Sequence, residues 1–111
     1  MAHDDIVADA TLGDDVPKAE LRYRERRELA DGSILQATIW QVPAPVPPSG
    51  HTLKYSLVYI VNGVRVVGYD NERGKGDHRH YGPREEPYRF TTPEQLMIDF
   101  LADVRAAGGR V

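Results

Sequence analysis

Two runs in which apolar and polar residues alternate, 53–61 and 64–70, flank Asn62-Gly63. Asn-Gly supplies the two positive-φ residues of a type I′ turn, so the segment predicts a β-hairpin. Counting outward pairs Val61 with Val64, Tyr59 with Val66, Leu57 with Gly68 and Tyr55 with Asp70 on one face. Ile60 with Arg65 and Val58 with Val67 occupy the other, so the pair is expected to be central or covered on both sides. Gly68 predicts a bulge or a close backbone approach. An earlier hairpin is predicted over 19–42 with Asp31-Gly32 as a two-residue turn. Leu29 then faces Ile34, Tyr23 faces Trp40 and Leu21 faces Val42 on an apolar face, with Arg22, Arg24, Arg26 and Glu28 on the other.

Toward the C-terminus the period changes to that of a helix: Leu96, Met97, Phe100, Leu101, Val104 and Ala107 recur on one stripe, with Asp99, Asp103 and Arg105 away from it. Thr92-Pro93-Glu94-Gln95 predicts the start, as N-cap, N1 proline and capping-box glutamine, and Gly108-Gly109 the stop. Residues 88–91 are expected to form a short edge strand. The prolines of 43–50 predict an extended surface loop, with His51 exposed beside it. The acid-rich segment 1–17 has neither period and is expected to be a disordered arm. The predicted fold is thus α+β in one domain, 18–111: an antiparallel sheet of four to five strands, built from two consecutive hairpins, with one C-terminal helix packed on one face.

Composition narrows the chemistry. The 111 residues are 41% hydrophobic and 28% charged, ordinary for a folded domain, and include no cysteine, which excludes disulfides, thiolate nucleophiles and cysteine metal sites. No apolar run reaches the roughly 20 residues of a membrane helix and no signal-peptide pattern opens the chain, so no membrane contact and a cytoplasmic location are expected. The net charge of −3 conceals an uneven distribution. Residues 1–20 hold six acids against Lys18, and the remainder, with 13 cations and 11 acids, is mildly basic. That balance permits a phosphate-bearing partner.

Between the second hairpin and the helix lies a glycine-punctuated stretch, 68–88, which reads as a loop crowded with functional side chains. If extended, it points His78 and His80 to one side and Asp77, Arg79 and Tyr81 to the other. Two imidazoles with Asp70 or Glu72 could bind a divalent metal, although His-x-His alone is a weak signal. A reading without metal or other cofactor uses His78 and His80 as acid and base, Asp70 as partner to a histidine, and Tyr81 to orient or stack a base. Arg73, Lys75, Arg79 and Arg84 would contact phosphate. Ribonucleolytic cleavage through the 2′-hydroxyl asks for this combination. Against it stands a surface network in which Asp70, Glu72, Asp77, Glu85 and Glu86 neutralise the cations. Asp70 and Asn71 are also expected to close an Asx turn.

The Asp-Gly hairpin after a charged first strand, Tyr69-Asp70-Asn71 ending a later strand, and His78-x-His80 before a C-terminal helix together resemble the TumE family of bacterial toxin-antitoxin proteins, over roughly residues 20–107. The resemblance implies the toxin of a type II system, neutralised by a cognate helix-turn-helix antitoxin and acting on RNA or translation, with Asp70, Asn71, His78 and His80 as hallmarks. A metal-independent endoribonuclease is the leading expectation. A non-catalytic module docking protein or nucleic acid through the same basic loop, and a metal-dependent hydrolase, are the alternatives; the residues do not fix an oligomeric state.

Overall fold

The computed structural model describes residues 18–111, so the arm expected over 1–17 lies outside the described residues. Six strands follow one another in chain order: β1 (Glu20–Glu28), β2 (Ile34–Gln41), β3 (Leu53–Val61), β4 (Val64–Glu72), β5 (Gly76–Tyr81) and β6 (Arg84–Pro87). Each is antiparallel to the next, and their order across the sheet is their order along the chain. One helix, α1 (Pro93–Ala106), completes the α+β fold. Four to five strands were expected. The difference lies in the stretch read as a loop, which forms the end of β4 and all of β5 and β6. Gly82 sits at φ +57° in the first central position of the Gly82-Pro83 turn, the conformation a type II′ hairpin turn demands, and Tyr81 pairs with Arg84 across it. Residues 88–91 form no strand; the sheet edge is four residues earlier, at β6.

The central hairpin forms about the expected turn, with Asn62 at φ +52° and Gly63 at φ +76°. Val61 faces Val64 and Ile60 faces Arg65 as expected, but a bulge beside Tyr59 and Ile60 then moves the register by one. Tyr59 therefore pairs with Val67, Leu57 with Tyr69 and Ser56 with Asp70. A one-residue slip exchanges faces, so Val67 and Tyr69 join Tyr55, Leu57 and Tyr59 in the core while Asp70 turns to the opposite side.

The first hairpin also differs by one. Gly32 N–H donates to the Leu29 carbonyl (2.9 Å) and Leu29 N–H to the Ser33 carbonyl (2.8 Å), and Gly32 lies at φ +87°. The loop is thus the three-residue kind closed by a glycine bulge, where a two-residue turn was expected. Arg27 consequently faces Leu35, Glu25 faces Ala37 and Tyr23 faces Ile39. The buried face of β2 is Leu35, Ala37 and Ile39, where the pattern had suggested Ile34 and Trp40.

Helix α1 starts as its sequence dictates: the Thr92 hydroxyl accepts the Gln95 N–H (3.0 Å) and Pro93 takes the first helical position. Gln95 does not close the box and donates instead to Asp99 (2.8 Å). At the far end Gly109 N–H reaches the Val104 carbonyl and Gly108 N–H that of Arg105, the paired bonds of a Schellman stop. Leu96, Phe100 and Val104 are buried against the core residues of β2, β3 and β4, each side chain contributing about 1.5–3 kcal/mol by burial. The helix covers one sheet face. Among the described residues no helix lies on the other face, and β3 and β4 are the two middle strands of the sheet, as expected of a central pair.

Candidate functional site

Alternation along β5 decides what the site contains. His78 and His80 lie on the open face, opposite Asp70 and Gly68 of β4, while Asp77, Arg79 and Tyr81 lie on the helix-covered face. The division expected for an extended strand therefore holds, and it splits the anticipated cluster in two.

On the open face, His78 Nε2 is 2.6 Å from Asp70 Oδ1, and His80 Nε2 is 3.7 Å from the same oxygen. The two rings meet edge to face at 4.8 Å. Glu72 and Glu85 bring further carboxylate oxygens to 3.6 and 3.5 Å of His78 Nε2. His78 Nδ1 lies 2.9 Å from the Gly76 carbonyl, which can only accept, so that nitrogen carries a proton. Although close, Asp70 Oδ1, His78 Nε2 and His80 Nε2 are all buried without a hydrogen bond of acceptable geometry. The three atoms lie within 4.8 Å of one another, a spacing that a metal ion could fill.

Several groups around this cluster escaped the pattern of the sequence. Glu85 stands directly across from His80, a pairing visible only once Gly82-Pro83 is seen as a turn. Lys75, expected on phosphate, is 3.3 Å from Glu85, and that contact first and foremost holds the Glu85 carboxyl below its usual pKa. Gly68 has no side chain because Arg65 lies across it: a Cβ there would meet Arg65 Cδ at 2.9 Å. The Arg65 side chain thereby sits beside His80, the cross-strand partner of Gly68. Lys54 on β3 donates to the Asn71 carbonyl.

The remaining candidates serve elsewhere. Arg79 bonds Glu86 (3.0 Å) and the Tyr69 hydroxyl (3.1 Å) on the helix side. Tyr81 donates to Asp103 of α1 (2.9 Å), and Tyr69 donates to the same oxygen. Burial, followed by that bond to Asp103, pushes the Tyr69 and Tyr81 hydroxyls above their usual pKa. Arg84 lies over the Tyr81 ring, 5.1 Å from its centre, and Arg73 is exposed in the β4–β5 turn. Asp103, assigned to the polar side of the helix, is what ties α1 to these tyrosines.

A second histidine cluster has the ingredients of a hydrolytic triad without its wiring. Asp77 accepts from Ser49 (2.5 Å), from Tyr55 (2.7 Å) and from His51 Nε2 (2.7 Å). His51 Nδ1 accepts the Leu53 N–H at 3.2 Å, so the ring has no free lone pair for a serine proton, and it stacks on Phe90 at 3.9 Å. His51 is thus an anchor for the proline loop, where an exposed residue was expected. Asn71 makes no Asx turn either. Wholly buried in β4, it accepts the Tyr55 N–H (3.0 Å) and donates to the Leu53 carbonyl (2.8 Å), extending the β3–β4 ladder with its side chain.

One antiparallel sheet, backed by a helix on one face and carrying an imidazole–carboxylate cluster on the other, defines a small α+β protein. The chain belongs to the TumE toxin family: the family model described as Toxin TumE matches residues 2–107, taking in the acidic segment and the proline run. A toxin of this kind implies an antitoxin that restrains it. Neither the curated proteins nor the solved structures contain a match to the chain. No helix among the described residues is long and apolar enough to cross a membrane.

Proposed function

We propose that this toxin acts on RNA, either free or on the translating ribosome, through the open-face cluster of Asp70, His78 and His80. The observation supporting the reading is that two imidazoles and a carboxylate meet on the sheet face that, among the described residues, carries no helix. In 2′-hydroxyl attack on the adjacent phosphodiester, one imidazole takes the hydroxyl proton and the other protonates the leaving oxygen. The Gly76 carbonyl fixes His78 Nδ1–H, leaving Nε2, which faces Asp70 Oδ1, as the nitrogen to exchange a proton. Lys75, paired with the Glu85 that stands 3.5 Å from His78, and Arg65, which lies over Gly68, suit the phosphate role better than Arg79, which is occupied on the other face. The cognate partner would be a helix-turn-helix antitoxin.

The test is incubation of purified protein with total RNA, in chelator and in added Zn²⁺ or Mn²⁺. Cleavage is expected, with a loss of about 10²-fold or more in His78→Ala and His80→Ala variants whose circular dichroism is unchanged. RNA left intact at high protein concentration under every condition overturns the reading. Salt-sensitive RNA binding that survives both substitutions assigns the chain to the non-catalytic class instead.

A further inference from the structure

We propose that Asp70, His78 and His80 form a binding site for one divalent transition-metal ion, with Glu72 and Glu85 beside it. The geometry requires no RNA, and an ion bound there would occupy His78 Nε2, the nitrogen that the acid–base reading uses, so metal content separates the two readings.

Each of the three converging atoms has an unmet need. A buried polar atom without a partner destabilises the fold, and here three such atoms converge. His78 Nε2 and Asp70 Oδ1 are close enough for an ion pair at 2.6 Å, but their alignment is not that of a hydrogen bond. Protonating His78 would satisfy at most that pair and leave His80 Nε2, with 10% of its side chain exposed, still unpartnered. A cation satisfies all three lone pairs at once.

Two ligands on one ion at bond lengths of about 2.0–2.2 Å lie roughly 3–3.5 Å apart, which falls between the separations of 2.6 and 3.7 Å seen here. The second coordination requirement is also present. His78 donates its other ring N–H to the Gly76 carbonyl, the bond that fixes a metal-binding imidazole in its tautomer. Charge points the same way. Asp70, Glu72 and Glu85 bring three carboxylates to within 3.6 Å of His78 Nε2, while Lys75 is paired with Glu85, Arg65 lies over Gly68 and Lys54 is bonded to the Asn71 carbonyl. Two imidazoles with a carboxylate, and no thiolate anywhere in the chain, suit Zn²⁺, Mn²⁺, Fe²⁺ or Co²⁺ and are poorly matched to Mg²⁺ or Ca²⁺. Glu72 and Glu85, both more exposed, are placed to add a fourth ligand or to hold a metal-bound water.

The experiment strips the full-length protein with chelator and titrates Zn²⁺ and Mn²⁺ by calorimetry, with Mg²⁺ as the comparison. One ion per chain is expected, with Asp70→Asn and His80→Ala weakening it by roughly 100-fold or more, since even outer-shell partners of a metal site are worth 10–100-fold. His51→Gln should keep the affinity, because His51 is committed to Asp77. A measurement on the unsubstituted chain guards against variants that misfold: Mn²⁺ should broaden the His78 and His80 ring resonances in NMR before those of His51. Binding well below one ion per chain, equal binding by the folded variants, or broadening centred on another histidine each overturns the site.

Discussion

At the scale of single residues, Asp77 shows how a functional-looking cluster can be purely architectural. Burial works to raise its pKa, but hydrogen bonds from Ser49, His51 and Tyr55 outweigh burial and hold it below the usual carboxylate value. Because the folded-state pKa is depressed, the stabilisation is present above the unfolded value of about 3.9 and is lost as pH falls through the lower folded value. Asp77→Asn should therefore unfold more easily than the parent by about 1–3 kcal/mol at pH 7, with the gap closing below pH 4. Urea titrations at pH 7 and pH 3 measure both; a gap that persists undiminished at pH 3 would show that the charge is not what holds the loop. Asn71, by contrast, was legible as important but not for the right reason. Asn is a turn former in isolation, and only the neighbouring strand shows that its amide substitutes for a stretch of backbone pairing.

Among the elements, α1 was the most legible because cap, period and stop agree, each set by residues within a turn of one another. What the period could not reveal is that a polar position also faces the sheet. Asp103 accepts from both Tyr69 and Tyr81 and has Arg79 at 3.7 Å, so it fastens the helix to β4 and β5. Asp103→Ala is expected to cost about 2 kcal/mol, by stranding the tyrosine hydroxyls, whereas Arg105→Ala on the exposed side should stay within about 0.5 kcal/mol. Chemical denaturation compares them directly, and equal effects would show that apolar contacts alone seat the helix. Strands β5 and β6 were missed for the opposite reason: they carry almost no apolar residues, so the signal that marks a strand is absent, and Gly82-Pro83 gives the only local hint. The His78/His80 alternation was readable; that Asp70 would turn to their face depended on the register shift between β3 and β4 at Tyr59 and Ile60 and on the pairing of Asp70 with His78, beyond the reach of any local pattern.

Across the whole molecule, the sheet sets the apolar core on one face and the imidazole–carboxylate cluster on the other. Phe100 is buried under the helix, and Phe100→Ala should destabilise by about 3–5 kcal/mol. His80 touches none of that core, so His80→Ala should retain the cooperative unfolding of the parent while arresting toxicity in a growing culture. Thermal unfolding beside a growth assay tests the division. A His80→Ala protein that melts as low as Phe100→Ala would mean that the cluster is a structural element after all.

The three-residue loop between β1 and β2 has a consequence for descent. All nine residues of β1 are exposed, and the strand lies three places across the sheet from β4. Adding or deleting a residue in that loop would slide the outermost strand and swap its two sides, yet leave the distances among Asp70, His78 and His80 unchanged. Lineages of this toxin are thus free to diversify at one margin of the sheet while the opposite margin keeps its geometry.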